Sequence, residues 1–288
     1  MEELIQNMED NIGLVVLIIF TFSIGLAIVE FCYELYKKKI NKWRLGEMWA
    51  SFSVFIVAQL VEKLSVVGFA TGFYFLAKFI PWDIPVNIWT TIGCIIFVDF
   101  LYYLGHVAEH KIRIFWSYHS IHHSSPIFNY TTALRVPFID SFIAWIFYIP
   151  AVLVGFHPYV VLLSILLMLT YQFWLHTEII GKLGWFEKIF VTPSQHRVHH
   201  GSDRIYLDKN YGAIFCIWDR MFGTFQEEQH RPTYGLTKQI NTINPIKVHF
   251  IEYVNIFKDL RKAKSFKDAW GYLVKPPGWK PKTKDILP

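Results

Sequence analysis

Residues 99–123 read DFLYYLGHVAEHKIRIFWSYHSIHH, an apolar stretch that runs into five histidines. These histidines form two spaced motifs, His106-x3-His110 and His119-x2-His122-His123. Residues three and four apart lie on one face of a helix, with Cβ atoms about 5–6 Å apart. Each motif is therefore predicted to direct two or three imidazole rings at one point, and imidazole is a ligand suited to iron, zinc, copper and nickel.

The second motif recurs as HRVHH at residues 196–200, and a single histidine, His176, lies between the two copies. One HxxHH motif is weak evidence, because surface histidines cluster by chance, whereas two copies together with an HxxxH motif are strong evidence. Nine imidazoles are too many for one ion and suit two. The predicted metal ligands are His106, His110, His119, His122, His123, His176, His196, His199 and His200.

The composition indicates a membrane protein. The chain has 288 residues, of which 53% are hydrophobic and 18% aromatic, and its mean hydropathy is positive. This is too apolar for an ordinary soluble protein and typical of a helical protein with several membrane spans. The net charge of +5 comes from short basic clusters and not from one extended face, so we predict no nucleic-acid binding.

Apolar runs predict the membrane helices. Three runs match the length needed to cross a core of ~30 Å, namely residues 12–31, 49–70 and 86–105. No small-residue cleavage site follows the first run, so we expect a retained anchor and not a signal peptide. Two further runs, 138–156 and 159–175, predict a helical hairpin that either spans the membrane or is partly inserted.

The basic residues set the expected orientation. Lysines 37–39 follow the first run, and the positive-inside rule places that end in the cytoplasm. The third run then returns to the cytoplasm at His106, and the hairpin leaves and re-enters there, ending at His176. The predicted ligands thus all lie on the cytoplasmic side, whereas His157, at the hairpin apex, lies roughly 25–30 Å away by helix rise and is not expected to bind metal.

The predicted fold class is all-α, a multi-span integral membrane helical protein with a cytoplasmic, histidine-rich helical cap that holds a di-metal centre. Residues 1–84 are predicted to form the N-terminal spans and an interfacial turn, residues 85–230 the histidine-bearing region, and residues 231–288 a cytoplasmic C-terminal tail. The cysteines are far apart and form no CxxC motif, so neither an iron–sulfur cluster nor a cysteine zinc site is predicted.

Polar residues near the motifs are the remaining candidates. Asp99 lies seven residues before His106, on the same helical face. Its carboxylate is predicted either to accept the outer ring N–H of a ligand histidine, which fixes the ring's orientation, or to bind metal itself. Four residues after the second motif are expected either to line a pocket or to cap the next helix: Asn129, Thr131, Thr132 and Arg135. For the charged residues in 208–211 and 218–220 we favour a structural role.

Three stretches resemble the fatty acid hydroxylase/sterol desaturase superfamily. They are DFLYYLGHVAEH at 99–110, HSIHHSSPIFNYTTALR at 119–135 and SQHRVHHGSDRIYLDKNYGAIFCIWDRMFGTF at 194–225. The runs HHSS…TALR and HRVHHG…DKNYG…WDRMFGTF are most similar to the alkylglycerol monooxygenase branch. Residues 85–230 then correspond to the catalytic domain of that superfamily.

The resemblance implies a non-haem di-iron centre, held by the nine histidines, that uses O2 to hydroxylate a lipid (a fatty acyl chain, a sterol or an ether lipid) in lipid metabolism. Some members carry a second histidine shortly after the lone one. Here Ile179 and Ile180 occupy those positions, so water or Glu178 completes that coordination, or the position stays open.

Electrons are expected from outside the chain. The sequence has no GxGxxG, no haem CxxCH and no iron–sulfur motif, so a separate reductase, cytochrome or ferredoxin is implied. The resemblance to the alkylglycerol monooxygenase branch implies tetrahydrobiopterin as the reductant by analogy.

Three alternatives remain open at this stage. A lipid or sterol desaturase would use the same centre, because hydroxylation and desaturation both begin with hydrogen abstraction. A metal transporter is disfavoured, since transporter sites lie near the bilayer midplane and these motifs lie at span ends. A non-catalytic protein that binds structural zinc is the third. Aromatic residues that either line a lipid path or simply pack the spans are Phe97, Tyr102, Tyr103, Phe173 and Trp174.

Overall fold

The computed structural model describes residues 2–281, apart from the side chains of residues 2–12 and 141. The chain is 64% helical, and no β-strand occurs within residues 2–281. Two isolated β-bridges, Phe190 to Phe215 and Gly201 to Tyr234, join loops around the later helices. The predicted all-α class is confirmed.

Three helices are long and apolar enough to cross a membrane, and they match the three predicted runs. They are α1 (Glu2–Tyr36), α2 (Lys42–Ala77) and α3 (Ile88–Lys111). The α2 helix begins seven residues before the predicted run, because the Asn41 side chain caps it by accepting a hydrogen bond from the Arg44 N–H at 2.9 Å. Its 36 residues rise about 54 Å, which exceeds a bilayer core.

The outer faces of α1 and α2 carry exposed apolar side chains. Leu17 is 58% exposed, and Leu60 and Leu64 are 78% and 71% exposed. A soluble protein rarely leaves such continuous apolar surface in water. Lipid is the solvent that these faces suit, in agreement with the membrane association expected from composition.

The predicted hairpin is confirmed in its second arm and its turn but not in its first arm. The second arm is α8 (Pro158–Phe173). The first arm is broken into α6 (Asp140–Ile143), a 3-10 turn (Ala144–Tyr148) and α7 (Ile149–Val154). It breaks because Pro150 has no N–H to donate and fits only the first turn of a new helix.

Gly155 forms the turn between the two arms. Its φ of +105° lies in the left-handed region, where glycine carries no Cβ penalty. A Cβ there would also lie 2.8 Å from the Trp82 ring. The turn is therefore fixed by this residue and by its close approach to the segment that links α2 to α3.

The α3 helix is the centre of the fold. Asn87 and Thr90 form a reciprocal capping box at its start. Its buried residues, among them Cys94, Val98 and Leu101, pack with α7 and α8 in the main hydrophobic core. The helix α4 (Arg113–His123) follows after only Ile112, so the chain turns sharply at the end of α3. This turn places the first two histidine motifs on adjacent helices.

Short elements complete the structure around the end of α3. They are α5 (Tyr130–Ala133), a 3-10 turn (Gly184–Lys188), α9 (Pro193–His199), α10 (Ile217–Phe222), α11 (Pro245–Leu260) and α12 (Phe266–Val274). The predicted tail, 231–288, contains α11 and α12 in its described part. Both helices pack against α4, and α11 also contacts α2. The Arg113 guanidinium pairs with Glu252 and Asp259 of α11 at 3.0 and 2.8 Å.

Candidate metal centre

The nine predicted ligands come together in two groups. In each group, one ligand atom per residue lies within 4.8 Å of all the others. The five-histidine group comprises His106, His110, His119, His123 and His199. The four-histidine group comprises His122, His176, His196 and His200. Eight of the nine side chains are buried, and His122 is half-buried.

The two HxxHH motifs each divide their histidines between the groups, which corrects the expectation that one motif aims at one point. In α4, the first and last histidines, four residues apart, join the five-histidine group, and the middle one joins the four-histidine group. The motif of α9 and its C-cap reverses the division: His196 and His200 join the four-histidine group, and His199 joins the five-histidine group. The i,i+4 pair shares a helical face, and the residue between points to the side.

Ring nitrogens converge inside both groups. The Nε2 atom of His119 lies 3.0 Å from the Nε2 atoms of His106 and His123. In the four-histidine group, the Nε2 of His196 lies 2.9 Å from that of His176 and 3.2 Å from that of His200. In each group, several nitrogen atoms that can donate a lone pair to a metal therefore lie close to one common position.

Two buried ring nitrogens without a hydrogen-bond partner indicate that the histidine groups suit a metal. The Nε2 atoms of His110 and His199 are buried without a hydrogen-bond partner. An unpartnered buried polar atom is costly and needs an explanation such as an ion. Both atoms belong to the five-histidine group, where a bound cation would satisfy them, so the residues present fit a metal.

Electrostatics also keeps the rings in the form that binds metal. Burial lowers the pKa of His176 to about 4, because it disfavours the charged imidazolium. Burial likewise lowers the pKa values of His123 and His199 well below the ordinary histidine range, and neighbouring histidines reinforce the shift. Neutral imidazole is the metal-binding form, so these rings need lose no proton at pH 7.

The outer ring nitrogens are held by acceptors outside the groups. His176 Nδ1 donates to the Gln172 carbonyl at 2.9 Å, and His106 Nδ1 donates to the Tyr211 carbonyl at 2.8 Å. The His119 Nδ1 lies 3.1 Å from a Glu109 carboxylate oxygen. Such partners fix the tautomer and ring orientation of metal-binding histidines.

Asp99 does not take the predicted position beside a histidine. Its carboxylate accepts hydrogen bonds from the Ile214 N–H at 2.7 Å and the Phe215 N–H at 3.3 Å, and from the Trp218 indole at 2.8 Å. Two helical turns separate it from His106, about 10 Å of rise, which explains why it reaches a different segment. Asp99 acts on the loop that follows the last motif and not on a ligand ring.

Glu178 and His157 lie outside both groups. The Glu178 carboxylate lies 3.3 Å from the Tyr234 hydroxyl and 3.8 Å from the Lys39 ammonium. The described contacts thus do not bring Glu178 into the four-histidine group. His157 caps α8 by accepting from the Tyr159 N–H at 3.3 Å and packs against the Tyr74 ring, as expected for a residue at the hairpin turn.

Arg197 fixes the helix that bears the last motif. Its guanidinium makes two hydrogen bonds to the Glu228 carboxylate, at 2.9 and 2.7 Å. It also donates to the carbonyls of Thr177 and Ile180, at 3.0 and 2.7 Å, in the loop after His176. One buried arginine thus links the helix that carries His196 to the loop that follows His176.

The residues after the second motif act as caps and as a buried ion pair. Asn129 and Thr132 form a capping box at α5, which confirms the capping alternative for them. Arg135 is fully buried and pairs with Glu47 of α2 at 3.0 Å. This pair ties the segment behind the metal groups to a membrane helix.

A cavity of about 320 Å³ opens beside both groups. Its walls come from α2, α3, α8 and the broken first arm of the hairpin, and four histidines reach it: His106 and His119 of one group, His122 and His176 of the other. Tyr102 and Phe173, two of the predicted path residues, line this cavity. Phe97, Tyr103 and Trp174 lie elsewhere in the described packing.

Sequence reasoning missed Glu109 and underrated residues 208–211. Glu109 lies between two predicted ligands in HVAEH, so its spacing gave a signal. For the 208–211 run, DKNY, the sequence predicts a structural role but does not show that the run contacts three histidines of the five-histidine group. No spacing rule predicts this, because two of the three contacts use backbone carbonyls and two join residues about 100 positions apart in the chain.

Comparison with known proteins agrees with this geometry. The chain is 37% identical over 267 residues to alkylglycerol monooxygenase of Homo sapiens, which covers 90% of this chain and 59% of that protein. It is 43% identical over 202 residues to alkylglycerol monooxygenase of Xenopus tropicalis, covering 70% and 44%. It is 32% identical over 177 residues to an ornithine lipid hydroxylase of Rhizobium tropici, covering 61% and 52%.

The chain spans about half the length of these curated relatives. No solved structure matches it significantly. Residues 91–224 match the model of the fatty acid hydroxylase family, and this range contains all nine clustered histidines. Through this region, the chain belongs to the fatty acid hydroxylase family.

Proposed function

We propose that this chain is a multi-pass membrane monooxygenase that holds two iron ions in its histidine groups and hydroxylates a lipid with O2. The observation that carries the proposal is the cavity, whose wall includes histidines of both groups. A molecule in that cavity lies directly against the place where the ions would sit. The relatives are lipid oxygenases by name, and the outer faces of α1 and α2 suit lipid.

The two groups would each hold one ion through neutral nitrogens. When bound, iron supplies the activation of O2 and the removal of a hydrogen atom from an unactivated carbon, which no protein side chain performs. The protein's own part is to hold the rings and to shape the cavity. The ring orientations come from Glu109, Gln172 and the 208–211 segment, as described above.

The cavity wall favours a lipid over a polar metabolite. Most of its lining surface comes from apolar and aromatic side chains, among them Phe55, Phe147 and Leu169. Such a wall excludes water and orients an alkyl chain by contact alone. The lipid would enter sideways from the bilayer, because α2 forms one wall and also carries the lipid-exposed apolar face.

The polar residues of the cavity wall further limit the class of lipid that can be the substrate. Three acidic residues line it, Glu62, Glu109 and Asp140, and no lysine or arginine is among its described lining residues. Among these described residues no cation is present to pair with a phosphate or carboxylate on the substrate, whereas hydroxyl groups would find hydrogen-bond partners. We therefore propose an electroneutral lipid that carries hydroxyl or ether oxygens near the reacting carbon.

The histidine groups face the cytoplasm in this proposal, and the basic residues after α1 support that orientation through the positive-inside rule. A separate electron donor would reach them from there, as a reductase, a cytochrome, a ferredoxin or a reduced pterin. An external donor is required because hydroxylation consumes two electrons beyond those of the substrate.

Growth under 18O2 tests the function. Cells with the protein should contain a lipid that carries one 18O atom and is lacking in cells with the variant His122→Ala, which lacks one ligand of the four-histidine group. A new double bond without label would indicate a desaturase instead. Identical labelled lipids in both cell lines would contradict the proposal.

A further inference from the structure

One short segment contacts most of the five-histidine group from outside. Residues 208–211 place three acceptors against the outer Nδ1 atoms of three histidines. The contacts are His106 to the Tyr211 carbonyl at 2.8 Å, His199 to the Lys209 carbonyl at 3.1 Å, and His110 to the Asp208 carboxylate at 3.8 Å. Three of the five rings therefore depend on the placement of four consecutive residues.

The segment has an unusual backbone. Asp208 and Asn210 have φ values of +60° and +54°, in the left-handed region, on either side of Lys209. Aspartate and asparagine are the residues other than glycine that adopt this region most readily. The backbone needs outside support to stay there, and the carbonyls that face the histidines depend on that conformation.

Asn210 supplies this support. Its side-chain amide donates to the carbonyls of Gln195 and Gln226, at 3.0 and 2.8 Å, and its oxygen accepts from the Gln226 N–H at 2.8 Å. Its own N–H donates to the Thr224 carbonyl at 3.0 Å. The side chain is 3% exposed, so water does not replace these bonds. Gln195 precedes His196, so Asn210 links the segment to the helix of the last motif.

Asp219 anchors the other end of the segment. Its carboxylate accepts from the N–H groups of Tyr211 and Gly212, both at 2.8 Å, and from the Thr224 hydroxyl at 2.6 Å. Gly212 is required by close approach, because a Cβ there would lie 2.5 Å from the Phe215 carbonyl oxygen. The segment is thus fixed on both sides by buried side chains.

We propose that residues 208–211 are a clamp that positions the five-histidine group and sets its metal affinity separately from that of the four-histidine group. Asn210 is the positioning residue that holds the clamp closed. This inference rests on the proposed metal pair. It is selective because, among the described contacts, the clamp reaches no ring of the four-histidine group, whose His176 is held instead by Gln172 of α8.

Zinc binding to the purified full chain tests the clamp without any oxygenase assay. The metal-free protein is titrated with Zn²⁺ against a chromophoric chelator, which resolves two affinities. In Asn210→Gly the three side-chain bonds are lost, while glycine accepts the left-handed φ. We expect one affinity to fall about tenfold or more and the other to stay unchanged.

The chain offers a matched control in Asn241, which is exposed and also left-handed, with φ of +46°. Asn241→Gly should leave both zinc affinities unchanged. Asn210→Asp keeps the side-chain oxygen that accepts from the Gln226 N–H but loses both amide hydrogen bonds. Its zinc affinity at the weakened site should therefore lie between those of wild type and Asn210→Gly. Thermal unfolding of the metal-free proteins shows whether each variant is folded.

If Asn210→Gly does not fold, Asp208→Asn takes its place, since it removes the negative charge beside His110 and should weaken the same single site. Lys111→Met, which removes the ion pair between Lys111 and Asp208 but keeps the carboxylate, is its control. Equal weakening of both sites, or two unchanged affinities, would overturn the clamp. A wild-type chain that binds fewer than two zinc ions would instead overturn the metal pair on which the clamp depends.

Discussion

His122 and His123 are neighbours in the chain, but they belong to different histidine groups. Their rings stand at 89° to each other with centroids 5.5 Å apart. His199 and His200 repeat the relationship, at 87° and 5.3 Å. Because each motif serves both groups, the two candidate ion sites share their supporting helices and are built as one unit.

This division predicts that a single histidine substitution weakens metal binding at one site and leaves the other site intact. His122→Ala leaves three histidines in the four-histidine group, and His199→Ala leaves four in the other. Each variant should lose affinity at one site and keep the other, and the double variant should lose at both. Metal analysis of the purified proteins measures this. If either single variant lost both ions, the assignment to two groups would fail.

His157→Ala should keep the full metal content. The residue lies at the turn before α8 and belongs to neither group, so its loss removes only a helix cap worth about 1 kcal/mol. A slightly lower unfolding temperature with unchanged metal stoichiometry is the expected result. A missing ion in this variant would show that the placement of the hairpin is wrong.

Glu109→Gln should weaken metal binding at the five-histidine group by about tenfold, because the carboxyl oxygen that lies 3.1 Å from His119 Nδ1 is replaced by an amide. The same carboxylate accepts from the Tyr118 hydroxyl at 3.0 Å, so Tyr118→Phe serves as the control. Tyr118→Phe keeps the carboxylate and should change the affinity much less. Chelator competition measures both, and equal effects would contradict the role given to Glu109.

Asp99→Asn should destabilise the fold by about 2–4 kcal/mol. The carboxylate accepts three hydrogen bonds from the segment 214–218, and an amide would turn two of its own hydrogens toward those donors. Denaturant unfolding in detergent measures the free energy. A change below about 0.5 kcal/mol, typical of a surface position, would show that Asp99 does not hold that segment.

Protonation of His249, outside the metal groups, is expected to lower the stability of the fold at acidic pH. Burial in α11 lowers the pKa of His249 below its ordinary value of 6.5, although a hydrogen bond to the Pro245 backbone opposes the shift. The unfolded chain therefore takes up this proton at a higher pH than the folded chain does. Stability is full above about pH 6.5 and falls as the pH decreases below it.

His249→Phe should reduce that loss. The new ring would pack against Phe138, whose ring centroid lies 5.8 Å from that of His249, and would carry no proton. The unfolding free energy of the metal-free protein, measured between pH 5 and pH 7, should depend less on pH in the variant. Equal slopes in both proteins would assign the acid sensitivity to other groups.

The sequence by itself determined that the chain is all-helical, that three runs form long apolar helices, and which nine histidines come together. These follow from local rules, because the length of an apolar run and the i,i+3,i+4 spacing act within one helix. The sequence did not show the break in the first hairpin arm, where the position of Pro150 within the first turn of α7 matters more than the apolar run.

Only the tertiary structure decided which histidine joins which group and what holds each ring. His122 and His123 take different groups because α4 lies between histidines from α3 on one side and from His176 and α9 on the other. Asp99 and Asp219 accept hydrogen bonds from the loop after the last motif, and Glu109 contacts His119. These contacts depend on how the helices pack. Hydrogen bonds to backbone carbonyls leave no mark on side-chain spacing, so they emerge only when the chain is folded.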